Sequence, residues 1–280
     1  MARSADDSAT PADESDSATP SDESGAATAP GPSARFVARF SPSMRTPITR
    51  GAVALVVTLG LFASAMVLSE SLVAAFSAVV TMGEPGSLRR LFVNTAALQV
   101  LGFGVPAAAY LLAHRQRWRS YLRLRECTQW TVFYGTAVGL GLMLVTVAAT
   151  VLFNLLDIAP AESAAGQAPD PLFYLVLFVV SSLVAVPMEE LFFRGLLQRR
   201  LTDGTHAIFG IAVPSVLFAS IHSTVSVGSG GEALAFGMFV TFGLVLGFAY
   251  HYTDNLFVPI IGHVTFNGVQ ILVRGLEVAA

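Results

Sequence analysis

From residue 51 onward, apolar runs of bilayer length alternate with short polar breaks. The runs lie near residues 51–80, 91–113, 130–156, 171–198, 206–222, 232–252 and 256–274. A helix rises 1.5 Å per residue, so about 20 residues cross the hydrocarbon core of a membrane. The pattern therefore predicts seven spans packed as an all-α, polytopic transmembrane helix bundle. The first run is long and carries Glu70, which suits either one tilted helix or a span plus an interfacial piece.

Polar positions inside these runs are few and grouped. Leu172 to Val186 holds no charge, and Pro187-Met188-Glu189-Glu190-Leu191-Phe192-Phe193-Arg194-Gly195 then brings two carboxylates and an arginine together. An ionised group at membrane depth costs roughly 3 kcal/mol or more, so it persists where it faces protein or water. Two later runs carry Phe218-Ala219-Ser220-Ile221-His222 and His263-Val264-Thr265-Phe266-Asn267. Together these groups predict a polar chamber between the C-terminal helices.

Helical spacing sharpens the reading. Glu190 and Arg194 fall four apart on one face, the carboxylate N-terminal, which is the better order for an ion pair. Glu189 points about 100° away around the helix and is left to reach another partner. Pro187 can open the local backbone pairing. His263 and Asn267 share one face, and Gly268 beside them permits close helix approach. Each group also has a plainer account: a structural salt bridge, an interfacial histidine, an interhelical hydrogen bond.

Composition agrees with a membrane protein: 54% of the residues are hydrophobic, 12% are charged, and the mean hydropathy is +0.65. Soluble domains carry about 25% charge. The single cysteine, Cys127, excludes an internal disulfide and a cysteine-based zinc site. Residues 1–34 hold one arginine against seven acids and almost no large apolar side chains, which predicts a disordered acidic tail ahead of a domain over residues 35–280. The basic residues, all arginine, cluster beside the spans, as topology requires, and leave no nucleic-acid footprint. Arg35 to Arg50, Arg115 to Arg125, and Arg199 with Arg200 fall on one side if the N-terminus is cytoplasmic; Arg89 and Arg90 dissent. The stretch Arg115 to Arg125, with Trp118 and Tyr121 interleaved, suits either an anchor at the membrane surface or a grip on anionic lipid headgroups.

A free carboxylate, two imidazoles and an amide are groups that water-activated amide hydrolysis needs: a base for the water and donors for the oxyanion. No G-x-S-x-G or H-E-x-x-H pattern is present, which disfavours a serine hydrolase or a zincin. The ordered set Glu189-Glu190-x-x-x-Arg194, Phe218-x-x-x-His222 and His263-x-x-x-Asn267 resembles the CAAX prenyl protease and bacteriocin-processing (CPBP) family of intramembrane proteases, over roughly residues 171–270. The resemblance implies that Glu189 with His222 activates water, that His263 and Asn267 hold the oxyanion, and that Glu190 and Arg194 support the site. It also implies about eight spans, one more than the sequence offers. Zinc held by Glu189, His222 and His263 is left open. The resulting expectation is an endopeptidase of the cell membrane, with the N-terminus cytoplasmic, acting on a membrane-associated peptide, possibly prenylated at a CAAX-type end. A non-catalytic immunity or scaffold protein and a proton-coupled transporter are the alternatives.

Overall fold

The computed structural model describes residues 47–157, 162–163, 168–223, 226–227 and 232–280. The acidic tail and the glycine-rich stretch 228–231 lie outside them. The described chain forms α1 (Pro47–Val79), α2 (Leu88–Ala113), the single turn α3 (Trp118–Tyr121), α4 (Gln129–Leu155), α5 (Pro171–Gly204), α6 (Ala207–Ser223), α7 (Glu232–Thr253) and α8 (Phe257–Ala279). Residues 162–163 and 226–227 pair antiparallel, tying the segment before α5 to the one after α6.

Six helices, α1, α2, α4, α5, α7 and α8, are long and apolar enough to cross a membrane, and α6 is a shorter apolar helix. Large apolar side chains such as Leu112, Leu144 and Leu183 stay exposed on the outside of the bundle. A water-soluble surface rarely tolerates so many, whereas lipid favours them. The protein is an integral membrane protein. The first run is one continuous helix of 33 residues.

Helix α5 organises the interior, touching α2, α6, α7 and α8. Its start is fixed by Asp170, whose side chain accepts a hydrogen bond from the Leu172 backbone N–H at 2.9 Å, and by Pro171 in the first turn. Pro187 then removes a backbone donor in mid-helix and crowds the carbonyl four residues earlier. The backbone widens into a π-helical stretch, Ser181–Ala185, just before it, and into a second, Leu191–Gln198, just after Glu190. The carboxylate pair thus occupies a short α-helical piece, Val186–Glu190, between two wide turns, an irregularity often found at functional sites.

The fourth apolar run was expected to end near residue 198, but the helix continues to Gly204 and only two residues separate it from α6. Polar Gln198 through Asp203 stay helical because Gln198 is buried, donating to the Gly247 carbonyl of α7 at 2.8 Å, and Arg199 pairs with Asp203 at 3.0 Å.

Helix α8 is seated by small residues. A Cβ on Gly139 of α4 would come within 2.6 Å of the Gly262 carbonyl oxygen, and one on Gly135 within 2.6 Å of Ile261 Cβ. Only glycine permits this approach, as in other small-x-x-x-small crossings. Gly139→Leu is expected to push α8 outward and to lower stability by about 1–3 kcal/mol, read as a fall in the melting temperature of the detergent-solubilised protein.

Candidate active site

The sequence-predicted groups on α5 and α8 meet inside the bundle, with a contribution from α2. Glu190 has no exposed surface, and Glu189 keeps 7%. Arg194 Nη1 donates to Glu190 Oε1 at 3.0 Å, and Arg194 Nη2 reaches the Gly243 carbonyl of α7 at 3.3 Å. The guanidinium also lies 4.8 Å from the Phe218 ring centroid, where the ring's negative face favours a cation. The anticipated ion pair is therefore present and fully enclosed.

His263 joins the same carboxylate, its Nδ1 lying 2.8 Å from Glu190 Oε1. An ionised carboxylate only accepts, so Nδ1 carries the hydrogen and Nε2 is turned to the other side. There Nε2 lies 3.9 Å from Glu189 Oε2, beyond hydrogen-bond length but close enough to bound a shared space. Spacing on α5 alone separated the two glutamates; the structure adds that His263 stands between them.

Glu189 has a partner that the sequence analysis missed. Gln99, in the π-helical stretch Thr95–Phe103 of α2, donates from Nε2 to Glu189 Oε1 at 2.8 Å, with both side chains buried. The remaining acceptors, Gln99 Oε1 and Glu190 Oε2, are buried and meet no hydrogen-bond donor among the described residues. A lone glutamine within an apolar run was the available signal, but nothing in its spacing linked it to a residue 90 positions away.

His222 is half-buried near the end of α6 and donates from Nδ1 to the Phe218 carbonyl at 2.9 Å, which leaves Nε2 as the basic nitrogen. Its ring stacks on Phe218 at 4.1 Å between centroids, and Phe218 in turn lies 5.9 Å from the His263 ring. Counted along the helices, Glu189 lies 15 residues before the end of α5 at Gly204, and His222 lies 15 residues after the start of α6 at Ala207, roughly 22 Å in each case.

Asn267 sits one turn beyond His263 and is half-buried, outside the hydrogen-bond network of the described residues. Gly268 does bring α8 close to α5: a Cβ there would lie 2.9 Å from Phe178. Among the described residues, no three His, Cys, Asp or Glu side chains are grouped to hold a metal ion. The His263 and His222 Nδ1 atoms and Glu189 Oε1 are engaged, which leaves Nε2 of each imidazole and Glu189 Oε2 as the atoms that would hold zinc in the zinc alternative.

The walls of this chamber are aromatic. Phe103, Phe192, Phe193, Phe218 and Phe242 form one buried cluster, with the Phe242 ring 5.0 Å from His263. Low polarity strengthens every charge interaction inside. The family model for the Rce1-like type II CAAX prenyl endopeptidases matches residues 171–269, which contain all the charged groups described here. No curated protein and no solved structure matches the chain.

Proposed function

From the membership of residues 171–269 in the CPBP family of CAAX-type membrane endopeptidases, we propose that the chain hydrolyses a peptide bond within the membrane, with Glu189 as the base. The observation that carries this reading is the asymmetry of the two carboxylates. Glu190 is matched by Arg194, whereas Glu189 is held only by a neutral amide, with one oxygen facing His263.

In this mechanism Glu189 Oε2, aided by the basic Nε2 of His222, takes a proton from water as the water oxygen attacks the scissile carbonyl. The carbonyl oxygen becomes an oxyanion. His263, braced through Nδ1 by Glu190, faces it with Nε2 and donates from that nitrogen when it carries a hydrogen, and Asn267 donates from its amide. The proton taken from water passes to the leaving nitrogen as the carbon–nitrogen bond breaks. Gln99 fixes the rotamer of Glu189, and Arg194 holds Glu190 in place to accept from Nδ1 of His263. No step runs through a metal.

A membrane-embedded, lipid-bearing peptide suits the surroundings. An apolar groove of about 320 Å³ is lined by Ala107, Leu111, Trp118, Leu122, Met188 and Leu191. Met188 and Leu191 flank the carboxylate pair, which supports an apolar chain lying beside the reacting bond.

The test is cleavage by the protein in proteoliposomes of two peptides that differ only in a C-terminal isoprenyl thioether. Faster cleavage of the prenylated peptide is expected, and loss of cleavage with a strong chelator would select the zinc alternative; if neither peptide nor any native membrane peptide is cut, the scaffold alternative takes over. Gln99→Leu is expected to lower kcat by about 10- to 100-fold, because a hydrogen bond to a charged group is worth about 1.5–3 kcal/mol. Because Gln99 touches Glu189 and not the substrate, KM should hardly move, while the melting temperature should fall because a buried carboxylate loses its hydrogen bond.

A further inference from the structure

We infer that the arginine-lined pocket formed by α3, the segment after it, the end of α5 and the α7–α8 turn binds the phosphate headgroup of an anionic membrane lipid. This inference is independent of the catalytic reading. The pocket encloses about 510 Å³ and is lined by Arg119, Arg123, Arg125, Arg199 and Asp254, with Ser120 and Leu124.

Charge comes first. Asp254 pairs with both Arg123 and Arg125, and Asp203 pairs with Arg199. Four guanidiniums against these two carboxylates leave a surplus of two positive charges around one concavity. Burial and the neighbouring Arg199 push the Arg123 pKa below its ordinary value, as expected where like charges crowd. A surface anchor for topology alone needs arginines near a span, not arginines gathered from distant parts of the chain into one hollow. Such crowding is relieved by an anion with several acceptor oxygens, and guanidinium forks match phosphate.

The pocket is also built. Arg123 (φ 54°) takes left-handed backbone, which a long side chain rarely adopts, and Asp254 (φ 51°) takes it too at the α7–α8 turn. The pair is locked from both sides: the Leu256 N–H donates to the Arg123 carbonyl at 3.1 Å, and Arg125 Nε donates to the Asp254 carbonyl at 2.7 Å. Strain of this kind persists where the surroundings over-determine it, and it gathers at ligand sites.

Position selects a lipid over a free anion. Exposed aromatics mark the same end of the bundle: Trp118 on α3, Trp130 and Tyr134 in the first turns of α4, and Tyr252 in the last turn of α7. Such rings sit at headgroup level in a bilayer, so the pocket opens where lipid phosphates lie.

The full chain in a neutral detergent would be melted with increasing dioleoyl phosphatidylglycerol, with dioleoyl phosphatidylcholine, and with inorganic phosphate. Phosphatidylglycerol is expected to raise the melting temperature saturably, while the other two leave it unchanged. Arg119→Gln should weaken the apparent affinity about fivefold, since a basic residue near a lipid surface is worth about 1 kcal/mol. Arg119→Gln with Arg199→Gln should weaken it more than tenfold on the same scale. The pair Arg89→Gln with Arg90→Gln, at the opposite end of α2, should change nothing. Equal loss in that control, or no loss in Arg119→Gln, overturns the site. Should the double variant not fold, the exposed single variant still decides. If inorganic phosphate alone reproduces the shift, the pocket is a soluble-anion site and the headgroup assignment falls.

Discussion

Glu189→Gln is expected to abolish hydrolysis while leaving the protein folded. The substitution keeps the volume of the side chain and a bond to Gln99, since the Gln99 amide can also donate to an amide oxygen. What disappears is the proton acceptor facing His263. General-base assistance contributes about 10²–10⁴-fold, so the cleavage rate should fall at least that far, with the melting temperature within a few degrees of the parent. Cleavage by Glu189→Gln at more than a tenth of the parent rate would show that another group activates the water.

Glu190→Gln is expected to act in the opposite sense, through stability. Glu190 has no exposed surface, and its Oε1 is shared by Arg194 at 3.0 Å and His263 at 2.8 Å. Neutralising it strands a buried guanidinium; removing one partner from a buried pair costs about 3–5 kcal/mol. Yield and melting temperature should drop sharply, and any surviving protein should be poorly active because His263 loses its brace. Adding Arg194→Met to Glu190→Gln removes the stranded charge and should recover part of the stability without restoring activity. Equal melting temperatures for Glu189→Gln and Glu190→Gln would refute this division of labour between adjacent residues.

Much of the bundle was legible because lipid imposes a simple rule: a run of apolar residues long enough to span must be a helix. The Glu190–Arg194 pair was legible for a related reason, since both residues lie on one helix where spacing fixes proximity. Three features were not legible. The end of α5 was misplaced by six residues because Gln198 and Arg199 look like a polar break, yet their partners on α7 and one turn onward keep the helix going. Gln99 was missed because its partner is on another helix, and contacts between helices leave no local spacing. The attachment of His263 to Glu190 was hidden for the same reason, and it changes the expected role of Glu190 from a partner of Arg194 alone to a brace for the imidazole as well.

The short connection between α5 and α6 sets a reach for any substrate. With Glu189 15 residues from Gly204 and 18 from Pro171, the carboxylate sits close to the middle of its helix. From the arginine-lined end the distance is roughly 22 Å along the axis. An extended chain covers at most about 3.3–3.6 Å per residue, so some six or seven residues must thread inward from that end before a bond meets Glu189. If the chain cuts peptides as proposed, one whose cleavable bond lies only two or three residues from a charged, headgroup-level anchor is too short to reach Glu189 from that end, and an apolar appendage would find room in the Trp118 to Met188 groove. On the proposed reading, the depth of Glu189 sets a minimum length for a substrate entering from that end.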